Sequence, residues 1–295
     1  MAKILLIGDI CAESQYLVDR MPSENSLSIV EQVNYVTSSK IVNAGRVLAS
    51  NNDVSIFGVV GNDDKRAKVL EDLKRYGIDT KLIYSTNAPT DEVLVITDKN
   101  GYSAVAIYLP ASRNLDQSKI ENFSGYDYIY TATSLPLFQL YKIIERAHVG
   151  ETKIFLDIPD QHEEFDLNML KFVEFVVPNR QEAGLLLKRE IINLTDGLQA
   201  AIDLKKYTNG HVIITLDKDG CIVFAKDWNK PQHFSIPLVK AVDSTGAGDI
   251  FRGVFLREYI KTHNIEISIK IALNISSESV KIKGVENSIQ FIDKL

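Results

Sequence analysis

The chain has 295 residues, enough to bury a substantial core without disulfide or metal staples, as one large α/β domain or two smaller ones. Hydrophobic residues at 45% and charged residues at 24% are the ordinary balance of a soluble globular protein. The formal net charge of −6 argues against a nucleic-acid partner, which needs clustered Lys and Arg to replace counterions; Lys65-Arg66 and Lys281-Ile282-Lys283 are short and read as solvated helix faces.

Ile4-Leu5-Leu6-Ile7 follows Lys3 and superficially resembles a leader, but Gly8-Asp9 breaks it, so a buried first strand is expected. No stretch approaches the roughly 18 apolar residues of a membrane span. A cytoplasmic protein with no membrane partner is the expectation. Cys11 and Cys221 lie in or beside apolar runs and read as buried thiols. His148, His162, His211, His233 and His263 are scattered, with no zinc-like spacing.

Further strands are predicted over Val54–Val60, Tyr128–Thr131, Ile154–Leu156, Phe175–Val177, Val212–Leu216 and Cys221–Phe224. Helical patterns lie between them. Asp64–Tyr76 puts Ala67, Leu70 and Leu73 on one face and stops at Gly77; Pro136–Ala147, Arg180–Leu187 and Leu194–Lys206 are similar. Apolar strands alternating with helices imply a doubly wound, mostly parallel sheet, with ligands outside the carboxyl ends of the strands. Two regions break this rhythm, about 13–38 and 90–109. The second holds β-rich runs around Asp98-Lys99-Asn100-Gly101, and Asn-Gly is a hairpin signal. These strands could form a small lid over the site or extend the edge of the main sheet. No linker divides the chain, so residues 1–295 read as a single domain.

Asp243-Ser244-Thr245-Gly246-Ala247-Gly248-Asp249 is a small-residue loop entering an apolar helix from Ile250 onward. Its glycines allow close backbone approach, and free amides at a helix start favour an anion such as a phosphoryl group. Asp249 beside such an anion hole makes sense as a base that takes the proton of an attacking hydroxyl; the alternative is a tight helix entry capped by aspartate. No Gly-Lys-Ser/Thr follows, so the loop is not a Walker A.

The string resembles the C-terminal signature of the ribokinase-like (PfkB-type) carbohydrate kinase family. Pro178-Asn179-Arg180-Gln181-Glu182-Ala183, Thr215-Leu216 with Gly220, Gly284 to Ser288, Gly61-Asn62-Asp63 and Gly8 to Glu13 resemble other family elements, in order along nearly the whole chain. The resemblance implies an ATP-dependent kinase with a ribokinase-like fold, Asp249 as general base and the amides of Gly246, Ala247 and Gly248 as the anion hole. It implies ATP with Mg²⁺, organised by Asn179 and Glu182, and Thr215 and Gly220 at the nucleotide, whose base lies near the 272–284 helix and turn. Asp243, Thr245 and Gly284 fall where many members hold a monovalent cation, usually K⁺. Asn179 as an N-cap and Glu182 as a first-turn dipole partner are compatible structural roles. A homodimer through the lid is also in view.

The N-terminal half departs from the family pattern. Ser38-Ser39 replaces two glycines, Asn43 is kept, and Glu13 stands where an aspartate usually binds the sugar, so Glu13, Ser38, Ser39 and Asn43 are the candidate substrate residues. Lys40 and Arg46 echo a phosphosugar branch, Arg46 facing solvent or capping a neighbouring carboxylate. Thr90-Asp91 replaces that branch's Thr-Arg pair, and an aspartate would repel phosphate, which favours a neutral sugar. Asp217 replaces a glycine beside the polyphosphate site. The expected function is transfer of the γ-phosphoryl of ATP to a sugar-like hydroxyl. A sugar-phosphate kinase, a nucleoside kinase and a catalytically weak sugar-binding homologue are the alternatives.

Overall fold

In the computed structural model, which describes residues 1–132, 135–158 and 164–292, every strand and helix expected from the apolar pattern is present. His162 lies outside the described residues. The elements run β1 (Lys3–Ile7), β2 (Cys11–Val18), β3 (Val30–Ser38), α1 (Lys40–Ala49), β4 (Asp53–Gly61), α2 (Lys65–Arg75), β5 (Ile83–Thr86), β6 (Asp91–Asp98) and β7 (Ser103–Tyr108). They continue β8 (Tyr128–Ala132), α3 (Leu137–Val149), β9 (Lys153–Asp157), β10 (Phe175–Val176), α4 (Arg180–Leu187), α5 (Leu194–Lys205) and β11 (His211–Thr215). β12 (Cys221–Phe224), β13 (Gln232–Phe234), α6 (Ala247–Thr262), α7 (Ile265–Ser279) and α8 (Val285–Ile292) complete the described chain.

Among the described residues nine strands form the main sheet, in the order β13-β12-β11-β10-β9-β8-β1-β4-β5. From β11 to β5 all pairs are parallel. β1 lies between β4 and β8, so the chain order reverses beside it, and the crevice at such a reversal is where doubly wound folds bind ligands. Cys221–Phe224 pairs antiparallel with β11. The run Leu216–Gly220 between them leaves no room for a crossover helix, so only a hairpin is open to it.

Parallel strands buried on both faces alternate their apolar side chains between two cores. Ile4 and Leu6 join α1, α6 and α7 on one face, while Leu5 and Ile7 join α3 and α5 on the other. Tyr130, Phe155 and Phe175 stack in sequence across β8, β9 and β10, with Phe255 of α6 against Phe155 and Phe175. This stack holds α6, and with it the glycine loop, against the strand ends. Phe155→Ala should destabilise the protein by about 3–5 kcal/mol, read by urea denaturation; a loss within about 1 kcal/mol would mean that the stack collapses around the cavity.

The inserted strands form a separate sheet of order β3-β2-β6-β7, which decides for the lid over the edge extension. β6 and β7 meet at the predicted Asn-Gly turn, where Gly101 has φ +85° and the Asp98 carboxylate accepts the amides of Asn100 and Tyr102. Thr37 Oγ1 donates to Asp72 Oδ2 at 3.0 Å, tying the end of β3 to α2.

Candidate active site

The loop 243–246 ends in Gly246, whose φ of +74° is in the left-handed region. A Cβ there would also lie 2.3 Å from Val285 Cγ2, so glycine is required twice over. α6 begins at the next residue. Among the described residues the Gly246 and Gly248 amides make no hydrogen bond, whereas Ala247 N donates to Ser244 O at 3.2 Å. Ala247 is therefore engaged within the turn, while the Gly246 and Gly248 amides are open. Asp243 braces the loop, accepting Thr245 N and Gly284 N, each at 2.9 Å.

Two cavities meet at this loop. One, of about 470 Å³, lies under the lid and is lined by Gln15, Asn34, Val36 and Val95 on the lid side and by Asp243, Thr245, Gly284 and Glu286 opposite. The other, of about 770 Å³, is lined by Thr215, Gly220, Ala247, Gly248, Leu273 and Ser276, among others. The predicted nucleotide residues Thr215 and Gly220, and the 272–284 segment, thus share one cavity. Gly220 has φ +84°, and a Cβ on it would lie 2.0 Å from Phe234 O. Asp217, where the family pattern has glycine, has φ 52° and lines the same cavity. An aspartate tolerates that region at some cost in strain.

Asp249, in the first turn of α6, lies beside the same loop. Asn43 Nδ2 donates to Asp249 Oδ2 at 2.9 Å, and Arg252 Nη1 lies 3.8 Å from Asp249 Oδ1. Burial raises the Asp249 carboxyl above its ordinary range, against the opposing pull of Arg252, Asn43 and Lys40. Ser38 Oγ approaches Asn43 Nδ2 at 3.5 Å, and Asn43 Oδ1 is buried without a partner among the described residues. Ser38, Asn43 and Asp249 therefore come together as expected. Ser39 instead caps α1 by accepting Val42 N at 3.2 Å, and Glu13 is buried with Oε1 accepting Gln15 Nε2 at 2.6 Å.

The second half of the site lies at the ends of β9 and β10. Asn179 and Glu182 form a capping box on α4: Glu182 N donates to Asn179 Oδ1 at 2.8 Å and Asn179 N to Glu182 Oε2 at 2.7 Å. Lys40 Nζ lies 2.6 Å from Glu182 Oε1 and 3.5 Å from Asp157 Oδ1, and Arg252 Nη2 lies 3.2 Å from that Asp157 oxygen. Burial alone would lower Lys40, but Asp157 and Glu182 hold it above its ordinary value. Burial also pushes the Asp157 carboxyl up, despite Arg252 and Lys40. Asp157 Oδ2 and the Tyr130 hydroxyl are buried with no hydrogen-bond partner among the described residues.

Sequence reading missed Asp157, Arg252 and Arg180. Asp157 had a signal, a carboxylate at the carboxyl end of a predicted parallel strand. Arg252 had one too, a cation three residues after Asp249 on an apolar helix. Arg180, with Nη2 2.6 Å from Asp219 Oδ2 and 3.3 Å from Leu216 O, ties α4 to the β11–β12 turn beside the nucleotide-type cavity. Two expectations about the other charges need correction. Of the two courses open to Arg46, it does not face solvent but meets a carboxylate: its side chain is buried, stacked 4.5 Å over the Tyr76 ring and paired with Glu286 at 3.2 Å. α1 opens at Lys40, one turn earlier than the pattern suggested, and Arg46 lies among its buried residues. Asp91 does not stand toward a ligand. It is fully buried and accepts the amides of Ala111 and Ser112, and burial pushes it up to about 6 despite those donors.

No group of three or more His, Cys, Asp and Glu residues suited to a metal occurs among the described residues. Magnesium needs no such cage, since it is usually held by one or two carboxylates with waters and substrate phosphates. Asp157 and Glu182, with an orphaned Asp157 oxygen, fit that pattern. No helix among the described residues is long and apolar enough to cross a membrane.

The pfkB family carbohydrate kinase model matches residues 1–291. A nucleoside kinase of Methanocaldococcus jannaschii is 26% identical, covering 100% of this chain and 96% of its own length. A ribokinase of Staphylococcus aureus is 25% identical over 99% of this chain and 98% of its own. The structure of Arabidopsis thaliana ribokinase complexed with ribose and ATP superposes with a TM-score of 0.85 at 19% identity, covering 100% and 99% of the two chains. With a family model spanning nearly its whole length, and with that fold, the chain belongs to the pfkB family of carbohydrate kinases.

Proposed function

We propose that the protein transfers the γ-phosphoryl group of ATP to a hydroxyl of a small, uncharged polyhydroxyl compound, with Asp249 as general base. One observation carries this reading: a single small-residue loop, with the Gly246 and Gly248 amides open at its junction with α6, separates the two cavities and leads into Asp249, whose side chain is 13% exposed. A hydroxyl held beside the glycine loop would give its proton to Asp249, whose Oδ2 Asn43 holds. The Gly246 and Gly248 amides, at a helix N-terminus, would take negative charge on the transferring group. Asp157 and Glu182 would hold Mg²⁺ through its waters, with Asn179 beside them, and the metal would neutralise phosphate charge when bound. Asp243 and Thr245 would hold a monovalent cation, since each Asp243 oxygen accepts only one amide. Exposed apolar residues on the lid, Tyr35, Val105 and Ile107, support a homodimer through it.

Three features support a neutral acceptor. Lys40 is held by Asp157 and Glu182, and Arg46 is buried against Glu286, so both cations already have carboxylate partners. The charged residues lining the lid cavity are Asp243, Glu286 and Lys283, and with Glu286 paired to Arg46 they leave no positive excess for a phosphate. Asn43 offers an unpaired acceptor, Oδ1, to a hydroxyl. A screen of sugars, sugar phosphates and nucleosides, read by ADP formation, should therefore give higher kcat/KM for a free sugar or nucleoside than for its phosphate ester. A hexose phosphate preferred by about tenfold, worth about 1.4 kcal/mol, with Lys40→Ala or Arg46→Ala abolishing the preference, would overturn the neutral-acceptor reading.

A further inference from the structure

Arg252 lies three residues after Asp249 on α6, and only 4% of its side chain is exposed. Its guanidinium is anchored at one end: Nη2 is 3.2 Å from Asp157 Oδ1 and 3.4 Å from Glu182 Oε2, and Nε and Nη2 are each 3.3 Å from Val177 O. The other nitrogen, Nη1, is directed along the glycine loop. It lies 3.8 Å from Asp249 Oδ1, and a Cβ on Gly248 would be 3.0 Å from it. Three carboxylates, Asp157, Glu182 and Asp249, thus converge on two cations. Lys40 has 36% of its side chain exposed and among the described residues pairs with Asp157 and Glu182, whereas Arg252 spans from that pair to Asp249.

A planar five-donor fork suits this geometry where a single ammonium does not. Asp249 Oδ2 is held by Asn43 from α1, while Oδ1 faces Arg252 from its own helix. One oxygen is thus addressed from each side before any substrate arrives. At 3.8 Å the Arg252 contact is longer than a hydrogen bond, so it acts by charge and shape in this state. Such contacts commonly tighten only in the complex.

We propose that Arg252 is a positioning residue for the base: anchored on Asp157, Glu182 and Val177, it holds Asp249 in its reactive orientation. This rests on Asp249 being the base, and it adds that the base and the carboxylates on the metal side are oriented by one side chain. Misplacement of a reacting group by about 1 Å costs on the order of 10² in rate, so the link is large enough to measure.

A double-mutant cycle on kcat, with Arg252→Lys and Asp249→Asn, tests it. Lysine keeps a cation for Asp157 and Glu182 but cannot also reach Asp249, so it preserves the structural role and removes the positioning one. Arg252→Lys should melt close to wild type, lower kcat by about 10–100-fold and leave the KM for ATP within about threefold. In the Asp249→Asn background the same change should alter the residual kcat by less than about twofold, because the group that it positions is gone. Additive losses, or a raised KM with kcat intact, would overturn the proposal and leave Arg252 as a counter-ion only. If Arg252→Lys fails to fold, Arg252→Gln, which leaves Asp157 and Glu182 in place, carries the same cycle, with the same outcomes. An Asp249→Asn variant that retains full activity would instead sink the base assignment, a separate failure seen in a different arm.

Discussion

Asp249→Asn should lower kcat by about 10²–10⁴ with the true acceptor, the usual range for loss of a general base. The asparagine keeps the shape of the side chain, and an amide oxygen can still accept from Asn43 Nδ2, the partner now 2.9 Å away. What is lost is the capacity to take a proton at neutral pH. Nucleotide affinity should stay nearly unchanged, because the 770 Å³ cavity is lined by the backbone and side chains of other residues, Gly248 among them, and not by Asp249. A fall in kcat and kcat/KM together is the signature of an interaction made only in the transition state. The pH profile supplies a second check. Burial raises the folded carboxyl of Asp249, so activity should fall as pH drops through a value above the ordinary carboxylate range of about 4, and the asparagine variant should lack that limb. A variant within a few-fold of wild type would remove Asp249 from the chemistry.

Local signals were the legible ones. Runs such as Ile4–Ile7 and Ile154–Leu156 could be read as strands because burial on both faces leaves no polar alternation, and Asn100-Gly101 marked the lid hairpin because its turn needs a positive φ. The glycine loop and capping box were readable because each is a short-range device. Pairings across the fold were not. Lys40 and Glu182 are 142 positions apart, and Arg252 and Glu182 are 70 apart, so no local spacing announces the charge cluster. The same limit explains Arg46 and Asp91. Each is charged in a chain where charge usually means surface. Each is buried because a distant partner meets it: Glu286 for Arg46, and the amides of Ala111 and Ser112 for Asp91. Asp91 had suggested a neutral acceptor through repulsion, and that expectation now rests instead on the engagement of Lys40 and Arg46.

Glu182→Gln should raise the Mg²⁺ concentration needed for half-maximal rate by about 10–100-fold, the usual loss when a residue that orients a metal's shell is altered. Three donors meet the Glu182 carboxylate: Asn179 N at 2.7 Å, Lys40 Nζ at 2.6 Å and Arg252 Nη2 at 3.4 Å. A glutamine can keep only one of these faces. With its oxygen toward Asn179 N, the capping box and the fold survive, but its NH₂ then points at Lys40, donor against donor. Lys40 is left to Asp157, now 3.5 Å away, and the local charge becomes one unit more positive. A more positive cluster disfavours a divalent cation and does not disfavour the nucleotide's phosphates. Apparent ATP affinity at saturating Mg²⁺ should therefore change far less than the Mg²⁺ requirement. Rate titrations against free Mg²⁺ at fixed, saturating ATP separate the two effects, and a melting curve near wild type checks that the α4 cap has survived. If the Mg²⁺ curves of Glu182→Gln and wild type superimpose, Glu182 serves the helix cap and Lys40 alone, and the metal is organised without it.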